Sequence, residues 1–123
     1  MGKKLIAILN HDPTPEQLRE LEAMGWEVKL VKPGEVDPHW DQDRVYHFFL
    51  SFLVEAGEPG GLWVQGDYRL FAAALRYALK HSIPLYVATT HREVTEEKQP
   101  DGSVKKSSVF KHVRFVDVTG GAA

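Results

Sequence analysis

The sequence predicts a single α/β domain in which helices cover both faces of a mainly parallel sheet, giving three layers. Four short apolar runs of strand length alternate with three segments whose apolar residues recur at helical spacing. This β-α-β-α-β-α-β order is typical of parallel strands joined by right-handed helical crossovers. The pair Asp101-Gly102 then separates two extended runs, which predicts a C-terminal antiparallel β-hairpin. With 123 residues, we expect one domain over 1–118 and a disordered tail over 119–123.

The first predicted strand and helix are the most clearly delimited elements. Residues 3–9 include a continuous apolar run, as expected for a strand that is covered on both faces. Thr14 and Gln17 have the types and spacing of a capping box, and Pro15 suits the first helical position. Gly25 is expected to end this helix. A second strand and a second helix are predicted at residues 26–31 and 41–56.

The second half of the chain repeats the strand-helix alternation and then returns as a hairpin. A short strand ends at Gln65-Gly66, and the following helix places its apolar residues on one face. The predicted spans of this helix, the next strand and the returning strand are 68–81, 83–94 and 107–118.

Composition excludes several classes of protein. The chain has no cysteine, so disulfides and thiolate metal sites are absent. Its net charge is −2, which argues against a general DNA-binding protein. The charge is uneven, since residues 1–61 carry 11 acids and 6 bases, whereas residues 62–123 carry 6 acids and 9 bases. The apolar run near the N-terminus is too short for a signal or membrane-spanning segment, so we expect a cytoplasmic protein that does not engage membranes.

The sequence also lacks the common motifs for phosphate and metal binding. The sequence has neither G-x-G-x-x-G after its first strand nor G-x-x-x-x-G-K-[ST], so the usual phosphate cradles of dinucleotide and NTP enzymes are missing. Its six histidines show no H-x-H or H-E-x-x-H arrangement, which argues against a dedicated metal site. We therefore expect neither a cofactor nor a metal.

Polar residues follow three of the predicted strands at the point where each strand ends. Because the carboxyl ends of parallel strands meet at one edge of a sheet, these groups are predicted to converge as a ligand site. Simpler interpretations remain open, because Asn10 can satisfy loop backbone and Asp67 can cap the following helix. The residues at the three strand ends are Asn10 and His11, Gln65, Gly66 and Asp67, and Thr89 and Thr90.

The last strand contains the pattern FKHVRF, which combines cations with a histidine. Strict two-residue alternation predicts that His112 and Arg114 share one face, with Lys111, Val113 and Phe115 on the other. A histidine beside an arginine can pair an acid–base group with an anion clamp. The alternative is a hairpin that carries polar side chains without a function.

Three segments of the chain resemble a known family. They are LNHDPTPEQ (9–17), VQGDYRLFAAALRYALKHSIPLYVATTHREV (64–94) and DGSVKKSSVFKHVRF (101–115). They resemble the ring nucleases among the small CRISPR-associated proteins of type III systems, which degrade the cyclic oligoadenylate second messenger. The resemblance implies a Rossmann-like (CARF-related) fold, a homodimer, and cyclic oligoadenylate, most simply cyclic tetra-adenylate, as the ligand.

The resemblance also implies a chemistry and roles for residues. A ribose 2′-hydroxyl would attack the adjacent phosphate, giving linear products with a 2′,3′-cyclic phosphate and switching off the signal without a metal. His112 or His11 is expected to act as acid or base, with Lys111 and Arg92 beside the phosphate. The expected ligand contacts are Asn10, Gln65, Gly66, Asp67, Tyr68, Arg69, Thr89, Thr90 and Arg114. Two alternatives stay open: a non-catalytic sensor or sponge for cyclic oligoadenylate, and a small α/β enzyme or adaptor for another nucleotide.

Overall fold

Strands and helices alternate along the chain until its last two elements, which are both strands. The computed structural model describes residues 3–121. The elements are β1 (Lys3–Ile8), α1 (Pro15–Ala23), β2 (Trp26–Val31), α2 (Gln42–Ala56), β3 (Gly61–Val64), α3 (Tyr68–His81), β4 (Leu85–Lys98) and β5 (Val104–Asp117). The predicted order of elements is confirmed.

The five strands form one sheet in the order β2-β1-β3-β4-β5. The β1–β2, β1–β3 and β3–β4 pairs are parallel, and β5 runs antiparallel to β4. The predicted mainly parallel sheet with a C-terminal antiparallel strand pair is therefore confirmed. β2 lies on one side of β1 and all later strands lie on the other, so the direction of strand addition reverses between β1 and β3. In open α/β sheets, the carboxyl ends of the strands at such a reversal form the usual ligand crevice.

Helices cover both faces of the sheet. On one side, here called the α1 face, Leu21 of α1 packs in a buried cluster with Trp63 and Phe115. On the other side, here called the α3 face, α2 and α3 pack over the sheet in a larger cluster that includes Phe49 and Ile8. Alternate strand residues supply the two clusters, because successive side chains of a strand point to opposite faces.

The start of α1 is fixed by the capping box that the sequence predicts. Gln17 N–H donates to Thr14 Oγ1 at 3.2 Å, and Thr14 N–H donates to Gln17 Oε1 at 2.9 Å. Gly25 follows the helix with φ +94°, a conformation that favours glycine. These two ends orient the helix, which therefore presents a defined set of side chains to β5.

β4 and β5 continue far beyond the rest of the sheet. They pair from Tyr86–Asp117 to Lys98–Val104, whereas β3 meets β4 only through Leu62 and Trp63. Residues 90–112, here called the ribbon, thus form a two-stranded extension closed by a turn in which Gly102 N–H donates to Gln99 O at 3.0 Å. The strands are longer than predicted because backbone pairing persists where the apolar pattern has ended, on residues exposed to solvent.

A β-bulge in β5 overturns the predicted distribution of its side chains. Thr89 opposes Arg114 and Thr90 opposes His112, so Val113 is an extra residue without a partner on β4. The extra residue shifts the alternation by one. Directly opposed residues share a face, so His112 joins Phe115 on the α1 face, and Lys111 shares the α3 face with Arg114. The prediction that His112 and Arg114 share a face is wrong.

The end of the chain turns back after β5. Thr119 N–H donates to Asp117 Oδ1 at 3.0 Å, and residues 122 and 123 of the predicted tail lie outside the described residues. Among the helices of residues 3–121, none has both the length and the apolar character needed to cross a membrane.

Candidate functional site

As predicted, β1 and β3 end at the same edge of the sheet, where β4 continues into the ribbon. Gly66 lies at the centre of that edge. Gly66 has φ +113°, and a side chain built there would find open space within 4 Å. Two shallow clefts of about 280 and 290 Å³ flank it. The first lies at the reversal between β1 and β3 and includes Asn10 and Asp67, and the second includes Tyr68 and Phe71 of α3.

Asn10 uses its amide to close the loop that follows β2. Its Nδ2 donates to Gly34 O at 3.1 Å, and its Oδ1 accepts from Gly34 N–H at 2.9 Å. The structure therefore gives Asn10 the loop-satisfying role that the sequence left open. One N–H of the amide stays available for a ligand.

Where β3 and β4 separate, the side chain of Gln65 makes the hydrogen bonds to β4 that the backbone of β3 no longer makes. Its Oε1 accepts from Ala88 N–H at 2.8 Å, and its Nε2 donates to Ala88 O at 3.3 Å. The same Oε1 accepts from the indole Nε1–H of Trp63, which is fully buried. Because a buried donor without a partner is costly, Gln65 is part of the framework of this edge.

Asp67 and Arg69 fix the start of α3. Asp67 Oδ1 accepts from Arg69 N–H at 2.8 Å and from Leu70 N–H at 3.1 Å, which confirms the capping interpretation. The guanidinium of Arg69 donates to the carbonyl oxygens of Asp37 and Trp40, so it anchors the loop between β2 and α2. Both side chains are therefore already occupied by hydrogen bonds within the protein.

Tyr68 is the most accessible of the predicted ligand residues on α3. It is 82% exposed beside Gly66, at the rim of the cleft that reaches Phe71. Exposed aromatic rings at a cleft are suitable stacking surfaces for bases. The structure thus leaves Tyr68 and Gly66 open at this edge, whereas Asn10, Gln65 and Asp67 are already engaged.

On the ribbon side of the edge, the sheet separates the remaining predicted residues into two groups. Thr90, Arg92 and His112 lie on the α1 face, because Thr90 opposes His112 and Arg92 opposes Phe110. On the α3 face, Thr89 Oγ1 donates to Arg114 O at 2.8 Å, and Lys111 Nζ is 3.1 Å from Glu93 Oε2. Of the predicted cations, the one that shares a face with His112 is therefore Arg92.

His112 is held by a carboxylate that the sequence analysis did not identify. Its Nε2 is 2.8 Å from Glu20 Oε1, and only 9% of the imidazole is exposed. Glu20 Oε2 also accepts the Phe115 N–H at 2.7 Å, so both carboxylate oxygens are used. Within residues 3–121, Nδ1 of His112 is buried without a hydrogen-bond partner.

The environment of Glu20 favours its charged form. Burial by itself would raise the pKa of Glu20, but the hydrogen bonds from Phe115 and His112, together with electrostatic attraction to His112 and Arg114, outweigh it and hold the pKa below the ordinary carboxyl value. Glu20 follows Gln17 by three residues and precedes Leu21, so it borders the inward stripe of α1. An acidic residue beside the inward-facing stripe was the feature of the sequence that could have indicated a partly buried carboxylate with a polar partner.

A cleft of about 560 Å³ separates the start of α1 from the ribbon. One wall is helical, with Thr14, Pro15, Glu16 and Arg19, and the other is formed by Phe110, Lys111 and His112. Its volume falls in the range of small-ligand sites.

His11, the second predicted acid–base residue, lies on the exposed loop after β1. Its Nδ1 is 3.2 Å from the carbonyl oxygen of the adjacent Asp12. No carboxylate within the described part of the chain holds it as Glu20 holds His112. Residues 3–121 contain no cluster of three or more histidine or acidic side chains arranged to hold a metal ion.

Comparison with known proteins places the chain in a protein family. The model of the uncharacterized protein MJ1673 family matches residues 3–116, from the start of β1 almost to the end of β5. The chain belongs to this family. No curated protein and no solved structure matches the chain. The family match therefore includes all three helices, the Glu20–His112 pair and the whole ribbon.

Proposed function

We propose that this protein is a ring nuclease of the Rossmann-like, CARF-related kind, which opens cyclic oligoadenylate by attack of a ribose 2′-hydroxyl. The proposal rests on one arrangement at the carboxyl edge of the sheet. There a histidine held by a carboxylate lies on the same face of the ribbon as an arginine, beside a cleft of small-ligand size. Such a group can move protons while the cation neutralises phosphate charge.

The Glu20–His112 bond defines the imidazole tautomer that the reaction needs. In neutral His112, Nε2–H donates to the carboxylate, so Nδ1 carries the lone pair that accepts a proton. Nδ1 is buried in the free protein, so the reaction requires that ligand binding exposes it. The 2′-oxygen then bonds to phosphorus as its proton passes to this nitrogen, and the bond from phosphorus to the 5′-oxygen breaks. The leaving 5′-oxygen takes up a proton from water, which gives a 5′-hydroxyl and a 2′,3′-cyclic phosphate, and protonated His112 then returns its proton to the solvent.

Arg92 is the cation best placed to stabilise charge in this step. Its partner across the ribbon is Phe110, two residues before His112, so both groups project from the α1 face. Within residues 3–121, no carboxylate lies within ion-pairing distance of Arg92. Positioned cations and hydrogen-bond donors that meet developing phosphate charge contribute several kcal/mol to such reactions.

The other edge residues take roles that match their contacts. Tyr68, Gly66 and Thr90 are the accessible positions for a base or ribose at the carboxyl edge. Lys111 and Arg114 of β5 lie on the α3 face, where they would contact phosphates on that side. We propose that two copies of the chain form a homodimer, since a two-fold axis presents equal sites to a ring of identical nucleotides.

The test is turnover of excess cyclic tetra-adenylate by purified protein in EDTA, with products resolved by mass. We expect linear products that carry a 2′,3′-cyclic phosphate. His112→Ala is expected to reduce the rate by about 10²–10⁴-fold while retaining ring binding. The matched control is His91→Ala, an exposed histidine on the α3 face of the same ribbon. Unchanged turnover by His112→Ala would remove His112 from the mechanism.

A non-catalytic binder is the second candidate, and one observation favours it. Nδ1 of His112 is covered in the free protein, and Glu20 ties the same region to the backbone of Phe115. On this alternative the histidine is a structural link between α1 and β5, and the ring is sequestered intact. The protein would then show a raised melting temperature with cyclic tetra-adenylate but no products, with or without added manganese.

A further inference from the structure

Phe110 is a large aromatic side chain with no evident structural purpose. It is 67% exposed on the α1 face of the ribbon, and it belongs to neither buried cluster of the sheet. Pro15 of α1 lines the same cleft from the opposite wall. The two apolar side chains thus lie on opposite walls of a cleft of about 560 Å³ that is open to solvent.

Two arginines lie next to this aromatic surface. Arg19 of α1 lines the cleft, and Arg92 is the residue directly opposed to Phe110 in the ribbon. Among the described residues, neither guanidinium has an acidic partner within 4.0 Å, whereas the Lys111 side chain is paired with Glu93 on the α3 face. Two free cations beside an exposed ring are suited to a ligand that combines an aromatic plane with negative charge.

We infer that this cleft binds one adenine nucleotide unit, with the base stacked on Phe110 and its phosphate contacted by Arg19 and Arg92. The inference deepens the proposed function, on which its choice of adenine rests, by naming where one unit of the ring is held. His112 lines the same cleft, so a unit bound there lies beside the acid–base group.

Glu16 is the acid in the cleft wall, and it fits the same ligand. Its carboxylate accepts hydrogen bonds only, and the exocyclic amino group of adenine is a donor. A base with a carbonyl at that position would turn an acceptor toward the carboxylate. We therefore expect AMP to bind more tightly than IMP, and Glu16→Ala to reduce that preference.

The experiment is an NMR titration of the full chain with 5′-AMP and with cyclic tetra-adenylate. Phe110→Ala is expected to weaken the affinity for both by about 5- to 100-fold, because base–aromatic stacking is the lost interaction. The control is Val109→Ala, which removes an exposed apolar side chain from the opposite face of the same strand. Phe110→Trp should retain the affinity. Equal affinities in the wild type and Phe110→Ala would overturn the inference.

Two further readouts separate this inference from its alternatives. If Phe110→Ala lowers the molar mass in solution and leaves AMP affinity unchanged, the ring packs against a second copy and the inference is wrong. If the wild type opens the ring and Phe110→Ala changes neither its Kd nor its KM, the proposed function stands without this site. If AMP binds through Phe110 but the ring is neither bound nor opened, the proposed function fails and the nucleotide site stands.

Discussion

At the residue scale, Glu20 joins the helix α1 to the strand β5. One carboxylate oxygen accepts the Phe115 backbone N–H and the other meets the His112 imidazole. Hydrogen bonds to a charged group contribute about 1.5–3 kcal/mol each, roughly twice as much as neutral ones. The same side chain therefore supports the packing of Phe115 beside Trp63 and sets the orientation of the candidate acid–base residue.

A pH-dependent contribution to stability follows from Glu20. The pKa of Glu20 is lowered in the folded protein, so its contribution is complete above the ordinary carboxyl pKa and is lost as the pH falls through the lowered value. We expect Glu20→Gln to lower Tm at neutral pH and the difference from wild type to shrink in acid. Thermal melts of both proteins across this range check it. A difference that stays constant with pH would contradict the assignment.

Other predicted site residues show why sequence alone could not separate ligand contacts from framework. Asn10, Gln65 and Arg69 have side chains that suit a ligand equally well. Their observed partners are main-chain groups 23 to 32 positions away in the chain. Such partners depend on how the loops after β1, β2 and β3 pack, which no local pattern reports. The helix cap by Asp67 was foreseeable because capping depends on the next three residues alone.

At the element scale, strands and helices were predictable because local signals agree with the apolar periodicity. The Thr14–Gln17 box and Gly25 mark the ends of α1, and Asp101-Gly102 marks the turn of the ribbon. The bulge at Val113 was not predictable, because valine suits a regular strand as well as a bulge. One unrecognised extra residue then reversed the expected faces of His112 and Arg114.

Deletion of Val113 tests the bulge directly. Without the extra residue, Arg114 follows His112 directly, so regular alternation keeps His112 opposite Thr90 and Phe115 opposite Ala88, both on the α1 face. We expect the deletion to stay folded with a loss of no more than about 1 kcal/mol in unfolding free energy, because the pairs on both sides of the bulge are retained in a regular ladder. Urea denaturation measures this, with Val113→Ala as the control that keeps the bulge and should change stability by less than about 0.5 kcal/mol. A loss of more than about 2 kcal/mol would contradict this and show that the bulge itself is needed to hold Phe115 or His112 in place.

At the scale of the whole molecule, the protein divides into a packed body and a projecting ribbon. Both buried clusters lie in the body, on the α1 and α3 faces of the sheet. Residues 94–108 are exposed almost throughout and belong to neither cluster. The candidate site lies where the ribbon leaves the body, so the outer ribbon extends past the groups that would bind and cleave a ligand.

A variant with a shortened ribbon tests whether the outer ribbon is needed for folding or for ligand binding. Replacing residues 94–108 by Asn-Gly joins Glu93 to Val109, which are directly opposed, through a two-residue hairpin loop. We expect the body to stay folded, with a Tm close to that of the wild type, because the deleted residues bury no core side chain. AMP affinity should also persist, since Phe110, Arg92 and α1 remain in place. Circular dichroism melts measure the Tm, and the NMR titration measures the AMP affinity. An unfolded product would show that the outer ribbon supports the body, whereas a folded protein without AMP affinity would place a required ligand contact in the deleted segment.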